Sequence, residues 1–322
     1  MKIAVGIDIG GTNTVWGFID SSGNVIHQGR LLTSQYQEPS DFVKTVAIAL
    51  KTAARSYPKL TIVGIGIGAP NGNYFNGTIE YAPNLSWEGI VPLKKMFEQY
   101  FDVPVWVTND ANAAAIGEMQ FGTAQGMKDF AVITLGTGLG SGFVANGELI
   151  YGHDAFAGEL GHTIIEINGR TCGCGRKGCL ETYASATGIV RTAQERLPNH
   201  QGHSLLKEYP SLTSKNIAEA AENGDALALE IFDYTGQKLG FSLANMVAIN
   251  SPQNIILFGG LAQAGSLIVE PTKRYMEEYL LNLFKNKVNI LLSTVPEANA
   301  AILGAAALVW NKVPVRLQHR AI

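Results

Sequence analysis

Short apolar runs alternate along this chain with longer segments whose apolar residues recur at helical spacing. Three β-branched runs between residues 2 and 32, separated by Gly10-Gly11 and by a turn at 21–24, predict a β-meander. The same criteria predict further strands at 61–67, 103–108, 130–135, 143–145, 254–258 and 288–292. They predict helices at 40–57, 91–101, 189–196, 214–221, 226–250, 266–281 and 299–310.

The order strand, glycine-rich loop, β-hairpin and helices occurs twice, first from Ile3 and again from Phe130. This repeat predicts two α/β lobes of related topology with a cleft between them. The length of 322 residues also favours two domains, at roughly 150 residues each. We expect one lobe at 1–118, completed by the C-terminal helix 299–311, and the other at 119–298. The tail 313–322 has no clear pattern.

Composition excludes several classes of protein. Apolar residues make up 46% of the chain and charged residues 16%, which is too apolar for a disordered chain. The net charge of -3 argues against an electrostatically driven nucleic-acid partner. No apolar run reaches the ~18–20 residues that span a bilayer, and Asp8 interrupts any signal-peptide core. We therefore expect a cytoplasmic protein with no membrane partner.

Two glycine-rich loops are candidates for phosphate binding. In the first, Gly10 and Gly11 allow backbone N–H groups to approach phosphate oxygens, Thr12 adds a hydroxyl, and Asp8 can hold hydrated Mg²⁺. An ordinary hairpin with a Gly-Gly turn explains the same residues. The second loop, 136–142, also lies between the first two strands of its lobe. Such a facing pair can clamp a polyphosphate from both sides.

Asp110 is a candidate general base. It follows the predicted strand at 103–108, and Asn109 before it can cap a helix that begins here. The helix N-terminus favours the carboxylate form, which can accept a proton from a hydroxyl nucleophile. A purely structural role at the start of the helix is the alternative. Asn84, in a loop after Pro83, is either a ligand contact or a turn residue.

The three cysteines of the chain are clustered. Cys172, Cys174 and Cys179 follow His162, with glycines between them that permit sharp turns. Three thiolates and one imidazole suit a tetrahedral Zn²⁺, and a site with four protein ligands is closed and structural. Unrelated buried cysteines would be scattered, so we predict a zinc-binding loop at 162–181.

Together these motifs resemble the ROK family of repressors, open reading frames and sugar kinases. The resemblance rests on Asp-Ile-Gly-Gly-Thr at 8–12, Glu-Leu-Gly-His at 159–162 and the Cys-x-Cys-Gly-x-x-Gly-Cys-x-Glu pattern at 172–181. It extends from Asp8 to about Trp310. It implies the two-lobed actin-like ATPase (ribonuclease H-like) fold, with ATP and Mg²⁺ bound between the lobes. The segment 68–72 departs from the usual family pattern, since Asn71 precedes its second glycine.

The resemblance also implies roles for individual residues. Asp110 corresponds to the catalytic base. Contacts to sugar hydroxyls are expected from Asn84, Asn109, Asp110, Glu159, His162 and Glu181. Contacts to ATP and Mg²⁺ are expected from Asp8, Gly10, Gly11, Thr12, Asn13, Gly136, Thr137, Gly138, Gly259 and Gly260. The zinc ligands correspond to His162, Cys172, Cys174 and Cys179.

ROK proteins include both regulators and enzymes, and the regulators carry an additional N-terminal winged helix. The first predicted strand here begins at residue 2 or 3, so we expect an enzyme. The expected reaction is ATP-dependent phosphorylation of the 6-hydroxyl of glucose. Fructose, mannose, allose or an N-acetylated hexosamine are alternative substrates, and a non-catalytic sugar sensor is the alternative from another class. Family resemblance further implies a homodimer or homotetramer.

Overall fold

A computed structural model describes residues 1–312, which form two compact units. The N-terminal unit comprises residues 1–127, 149–157 and 294–312, and the C-terminal unit comprises residues 128–148 and 158–293. The predicted tail 313–322 lies outside the described residues. Within residues 1–312, no helix combines the length and apolar character needed to cross a bilayer.

The regular elements follow the predicted alternation of strands and helices. The strands are β1 (Lys2–Ile9), β2 (Asn13–Ile19), β3 (Val25–Leu32), β4 (Thr61–Gly68), β5 (Gly72–Asn73), β6 (Thr78–Glu80), β7 (Ile90–Val91), β8 (Val105–Thr108), β9 (Phe130–Leu135), β10 (Leu139–Ala145), β11 (Glu148–Leu149), β12 (Asn254–Phe258) and β13 (Asn289–Leu292). The α-helices are α1 (Pro39–Arg55), α2 (Leu93–Glu98), α3 (Asp110–Phe121), α4 (Ala186–Arg196), α5 (Ser214–Glu222), α6 (Ala226–Asn250), α7 (Ser266–Tyr279) and α8 (Glu297–Trp310).

The main sheet of the N-terminal unit has the order β3-β2-β1-β4-β8. Strand β2 pairs antiparallel with β1 and β3, whereas β1, β4 and β8 are parallel. Both faces of β1 are covered, so its sequence is almost continuously apolar. Helix α1 packs on one face and α8 on the other. Gly6 and Gly66 permit the close approach of α8, because a side chain at either position would overlap the helix backbone.

The main sheet of the C-terminal unit repeats this order as β11-β10-β9-β12-β13. Strand β10 is antiparallel to β9, and β12 is parallel to both β9 and β13. The buried residues of β9 and β12 join those of α5, α6 and α7 in one core. The shared strand order confirms the prediction of two α/β units with related topology.

Two local predictions are wrong, and one small sheet was not predicted. The glycine-rich run 136–142 is not all loop: β10 begins at Leu139, since Leu139 pairs with Leu135 and Gly140 N–H donates to Thr134 Oγ1 at 3.0 Å. The helix predicted at 91–101 is reduced to α2, because Val91 belongs to β7 and Pro92 precedes the helix. The small sheet β5-β6-β7 was not predicted, because its strands of two or three residues are too short to show a periodicity.

Candidate active site

Two carboxylates come together at one edge of the N-terminal sheet. Asp8 is near the end of β1, Gly68 ends β4, and Asp110 begins α3 directly after β8. The carboxyl ends of these parallel strands meet at the same edge. Gly68 separates the two acids: a Cβ built on it would lie 3.7 Å from Asp8 Oδ1 and 3.9 Å from Asp110 Cα. Asp8 and Asp110 are therefore both neighbours of Gly68, and the charge of Asp110 acts on Asp8.

The surroundings of this pair alter its acidity. Burial raises the pKa of Asp8 to about 7, and the negative charge of Asp110 contributes to the increase. The surrounding protein desolvates Asp110 and raises its pKa, although the residue is solvent-exposed and hydrogen bonds from the Ala111 N–H, at 2.8 Å, and from its own backbone oppose that shift. Paired carboxyl groups with raised pKa values at a sheet edge are typical of a site that binds a cation or transfers a proton.

The start of α3 fixes the backbone around Asp110. Asn109 is the N-cap, as predicted, and its Oδ1 accepts the Asn112 N–H at 2.8 Å. This bond satisfies one donor of the first turn and sets the direction in which the helix leaves β8.

The first glycine loop is a tight turn that packs on a neighbouring loop. The Gly10 N–H donates to the Asn13 carbonyl at 2.9 Å. A side chain at Gly11 would overlap the Asn84 backbone oxygen, so Asn84 lies directly against this loop. The Thr12 side chain is exposed. The structure thus brings Asn84 beside the predicted phosphate loop.

The second glycine loop is bound to the segment that carries Glu181. The Gly136 carbonyl accepts the Ala186 N–H at 2.8 Å, and the Thr137 carbonyl accepts the Thr187 hydroxyl at 2.8 Å. A side chain at Gly138 would overlap Glu181 Oε2. Glycine at this position therefore allows Glu181 Oε2 to approach the backbone closely, a contact that the sequence alone did not reveal.

Gly259 and Gly260 lie near the second glycine loop. Because β9 and β12 are parallel neighbours, the segments that follow them emerge at the same edge of the C-terminal sheet. Gly259 has a φ of 100°, a conformation that favours glycine, and a Cβ there would lie 2.9 Å from the Leu135 carbonyl carbon. The structure thus brings together the two glycine segments that were predicted to bind nucleotide in this unit.

The four predicted zinc ligands form one cluster. The ligand atoms of His162, Cys172, Cys174 and Cys179 all lie within 4.8 Å of one another. Cys172 Sγ is 3.7 Å from His162 Nδ1, and the sulfurs of Cys174 and Cys179 are 3.6 Å apart. Tetrahedral zinc, with bonds of about 2.1–2.3 Å, requires ligand atoms roughly 3.4–3.8 Å apart. The residues therefore fit a structural zinc ion.

Two predicted sugar contacts adjoin this cluster. Glu159 directly precedes the 3-10 turn Leu160–His162, and the His162 N–H donates to the Glu159 carbonyl at 3.1 Å. Glu181 lies on another 3-10 turn, directly after Cys179, and its Oε1 is 3.6 Å from Cys172 Sγ. Glu159, His162 and Glu181 are therefore all carried by turns that adjoin the zinc ligands.

Arg170 is a buried residue of the predicted zinc loop to which sequence reasoning gave no role. Its guanidinium donates to the Thr182 carbonyl at 2.7 Å and to the Thr192 hydroxyl at 3.0 Å, and it pairs with Glu195. It also lies over the Tyr183 ring, 4.5 Å from the centroid. These contacts anchor the loop to α4. They join residues far apart in sequence, so no local motif signals them.

Asn71 explains how the unusual segment 68–72 is accommodated. Its φ of 51° is in the left-handed region, which asparagine tolerates better than most residues. Its side-chain amide donates to the Glu80 carbonyl at 2.9 Å.

Comparison with known proteins agrees with this arrangement. The family model described as the ROK family matches residues 4–312. A glucokinase of Halalkalibacterium halodurans is 37% identical over 312 residues, which cover 95% of this chain and 94% of that protein. The xylose repressor of Bacillus subtilis is 28% identical over 95% of this chain but only 76% of its own length.

The chain is also similar to a solved structure in its three-dimensional fold. The ROK family glucokinase of Streptomyces griseus, in complex with glucose and AMPPNP, has a TM-score of 0.79 and 32% identity. The alignment covers 95% of this chain and 98% of that protein. The predicted fold class is thereby confirmed, and the chain belongs to the ROK family.

Proposed function

We propose that this protein is an ATP-dependent sugar kinase that transfers phosphate to the 6-hydroxyl of glucose. The observation that carries the proposal is the pair Asp8 and Asp110, held on either side of Gly68 at one sheet edge. Similarity over nearly the whole chain to glucokinases of two other bacteria supports it.

Asp110 is the proposed general base. Its place in the first turn of α3 fixes the carboxylate, and the Ala111 N–H donates a hydrogen bond to one of the carboxylate oxygens. In phosphoryl transfer the base orients the hydroxyl nucleophile and accepts its proton late, so high basicity is unnecessary. Asp8 is the proposed ligand for hydrated Mg²⁺, which would neutralise charge on the phosphates. Bound Mg²⁺ would also keep Asp8 ionised.

The sugar hydroxyls are assigned to Asn84, Asn109, Asp110, Glu159, His162 and Glu181, by family resemblance. The zinc cluster supports part of this assignment. His162 Nδ1 faces Cys172 Sγ, so a zinc ion bound at Nδ1 would leave the proton on Nε2, where it can donate to a hydroxyl. Zinc would therefore serve to orient His162, Glu159 and Glu181 rather than to take part in the chemistry.

The phosphates of ATP are assigned to two glycine loops, 10–13 and 136–138, and the nucleoside to Gly259 and Gly260. The close approaches of Asn84 to Gly11 and of Leu135 to Gly259 leave no room for a side chain at these positions, which suits loops whose backbone faces phosphate.

A coupled ADP-release assay over a panel of sugars tests the proposal. We expect glucose to have the highest kcat/KM, and 2-deoxyglucose to have a clearly higher KM because a carboxylate loses its hydroxyl partner. A higher kcat/KM for fructose, mannose, allose or an N-acetylated hexosamine would overturn the choice of glucose but keep the reaction. No ADP release with any sugar, combined with measurable sugar binding, would favour the non-catalytic sensor. The expected dimer or tetramer stays a prediction that light scattering can check.

A further inference from the structure

A row of residues crosses the N-terminal sheet at the level of Asp8. Asp8 pairs with Val15 on β2, and Val15 pairs with Arg30 on β3. Directly paired residues project on the same face of a sheet, so Asp8 and Arg30 share one face with Val15 between them. Neighbouring strands are about 4.8 Å apart, which places the Cα atoms of Asp8 and Arg30 roughly 10 Å apart. Arg30 therefore flanks the site that contains the Asp8 carboxylate.

The Arg30 guanidinium is held by the residue that closes the first glycine loop. Its Nε and Nη2 both donate to Asn13 Oδ1, at 3.0 and 2.7 Å. Asn13 in turn accepts the Gly10 N–H through its carbonyl. Arg30 is thereby fixed against the loop Gly10–Gly11–Thr12 by two hydrogen bonds to a neutral side chain.

Among residues 1–312, no ion pair neutralises the charge of Arg30. The ion pairs within residues 1–312 join carboxylates to lysine, histidine or other arginine side chains, and none of these pairs includes Arg30. Arg30 is also exposed. Guanidinium has five N–H donors, and the fork to Asn13 uses only two of the donor nitrogens. A fixed cation with spare donors is well suited to recognise phosphate.

We propose that Arg30 is a positioning residue for the nucleotide phosphates. Arg30 fixes the Asn13 side chain and adds positive charge beside the first glycine loop. This proposal rests on the proposed function, because it takes residues 10–12 as the phosphate loop. A structural role alone does not need the charge, since backbone pairing already joins β2 to β3 along their length.

The test compares Arg30→Gln, Arg30→Lys and Arg55→Gln by calorimetry with Mg²⁺-AMPPNP, and separately with glucose. Arg55 is the matched control: it is an exposed arginine of the same unit, at the end of α1, and its loss changes net charge equally. Thermal melts of each variant check that folding is unchanged.

We expect Arg30→Gln to weaken AMPPNP binding about tenfold, as for a lost charge-assisted contact. Arg30→Lys should recover part of this loss because it keeps the charge, and Arg55→Gln should bind as the natural protein does. Glucose affinity should be the same in all four proteins.

Unchanged AMPPNP affinity in Arg30→Gln would overturn the proposal, as would Arg30→Lys binding as weakly as Arg30→Gln. If the natural protein itself fails to bind AMPPNP, the proposed function fails first, and this inference falls with it.

Discussion

Glu181 Oε2 accepts a hydrogen bond from the Leu139 backbone N–H at 3.0 Å. The donor directly follows the second glycine loop, and the acceptor is the carboxylate assigned to the sugar. This bond joins the proposed sugar-binding and phosphate-binding segments within the C-terminal unit. A displacement of Glu181 should therefore affect both.

Replacing Gly138 by alanine should push Glu181 out of place. The new Cβ would overlap Glu181 Oε2 and disturb the bond to Leu139. Loss of one hydroxyl contact to a charged group costs about 1–3 kcal/mol, so glucose affinity should fall roughly tenfold or more in calorimetry without nucleotide.

Gly173→Ala is the matched control for this variant. It makes the same substitution within the predicted zinc loop, where no heavy atom lies within 4 Å of the new Cβ. Its glucose affinity should be normal. Normal affinity in Gly138→Ala as well would show that the sugar does not depend on the position of Glu181.

The raised pKa of Asp8 predicts a pH-dependent cost to stability. The pKa is about 7 in the folded protein, against 3.8 for an ordinary aspartate. Between these pH values the folded state binds a proton that the unfolded state lacks, so stability falls as pH rises from about 4 to 7. Asp8→Asn removes this cost.

Melting temperatures in Mg²⁺-free buffer test the prediction. Asp8→Asn should be more stable than the natural protein at pH 8, by on the order of 4 kcal/mol, and the difference should disappear near pH 4. Asp102→Asn, an equal change of charge at an exposed position, should show no such crossover. The stability difference between Asp8→Asn and the natural protein should be compared at the two pH values. If the variant gains less stability over the natural protein at pH 8 than at pH 4, burial does not raise the pKa of Asp8.

Loss of the metal should harm sugar binding more than nucleotide binding. Cys174→Ser is the sharper variant, because the Cys172 sulfur also lies 3.6 Å from Glu181 Oε1, so that its replacement would disturb Glu181 directly. Elemental analysis should find about one zinc per chain in the natural protein and less in the variant. Glucose affinity should then fall about 10–100-fold, with a smaller change for AMPPNP. Retained glucose affinity after metal loss would mean that zinc stabilises the loop 162–181 but does not orient the sugar-binding residues.

Local sequence patterns predicted those parts of the fold and site that depend on nearby residues. The spacing of Cys172, Cys174 and Cys179 after His162 predicted that these four side chains come together, and Asn109 was predicted as a cap from its place before a small-residue helix. These signals are local because a chelate or a cap joins residues a few positions apart.

Contacts between distant segments had no such signal. The bond from Leu139 to Glu181, and the approach of Arg170 to α4, depend on how loops pack after the sheet has formed. The start of β10 at Leu139 was missed for a related reason: glycine disfavours a strand locally, yet pairing with β9 fixes it there.

Asp110 is the proposed base of this sugar kinase, and the turnover of Asp110→Asn is the decisive measurement of that role. The variant keeps the shape of the side chain but removes its basicity. We predict that kcat with glucose and ATP falls by about 10²–10⁴-fold, while calorimetry still detects glucose binding and the exposed-site control Asp102→Asn turns over normally. Near-normal turnover of Asp110→Asn would show that Asp110 is not the base.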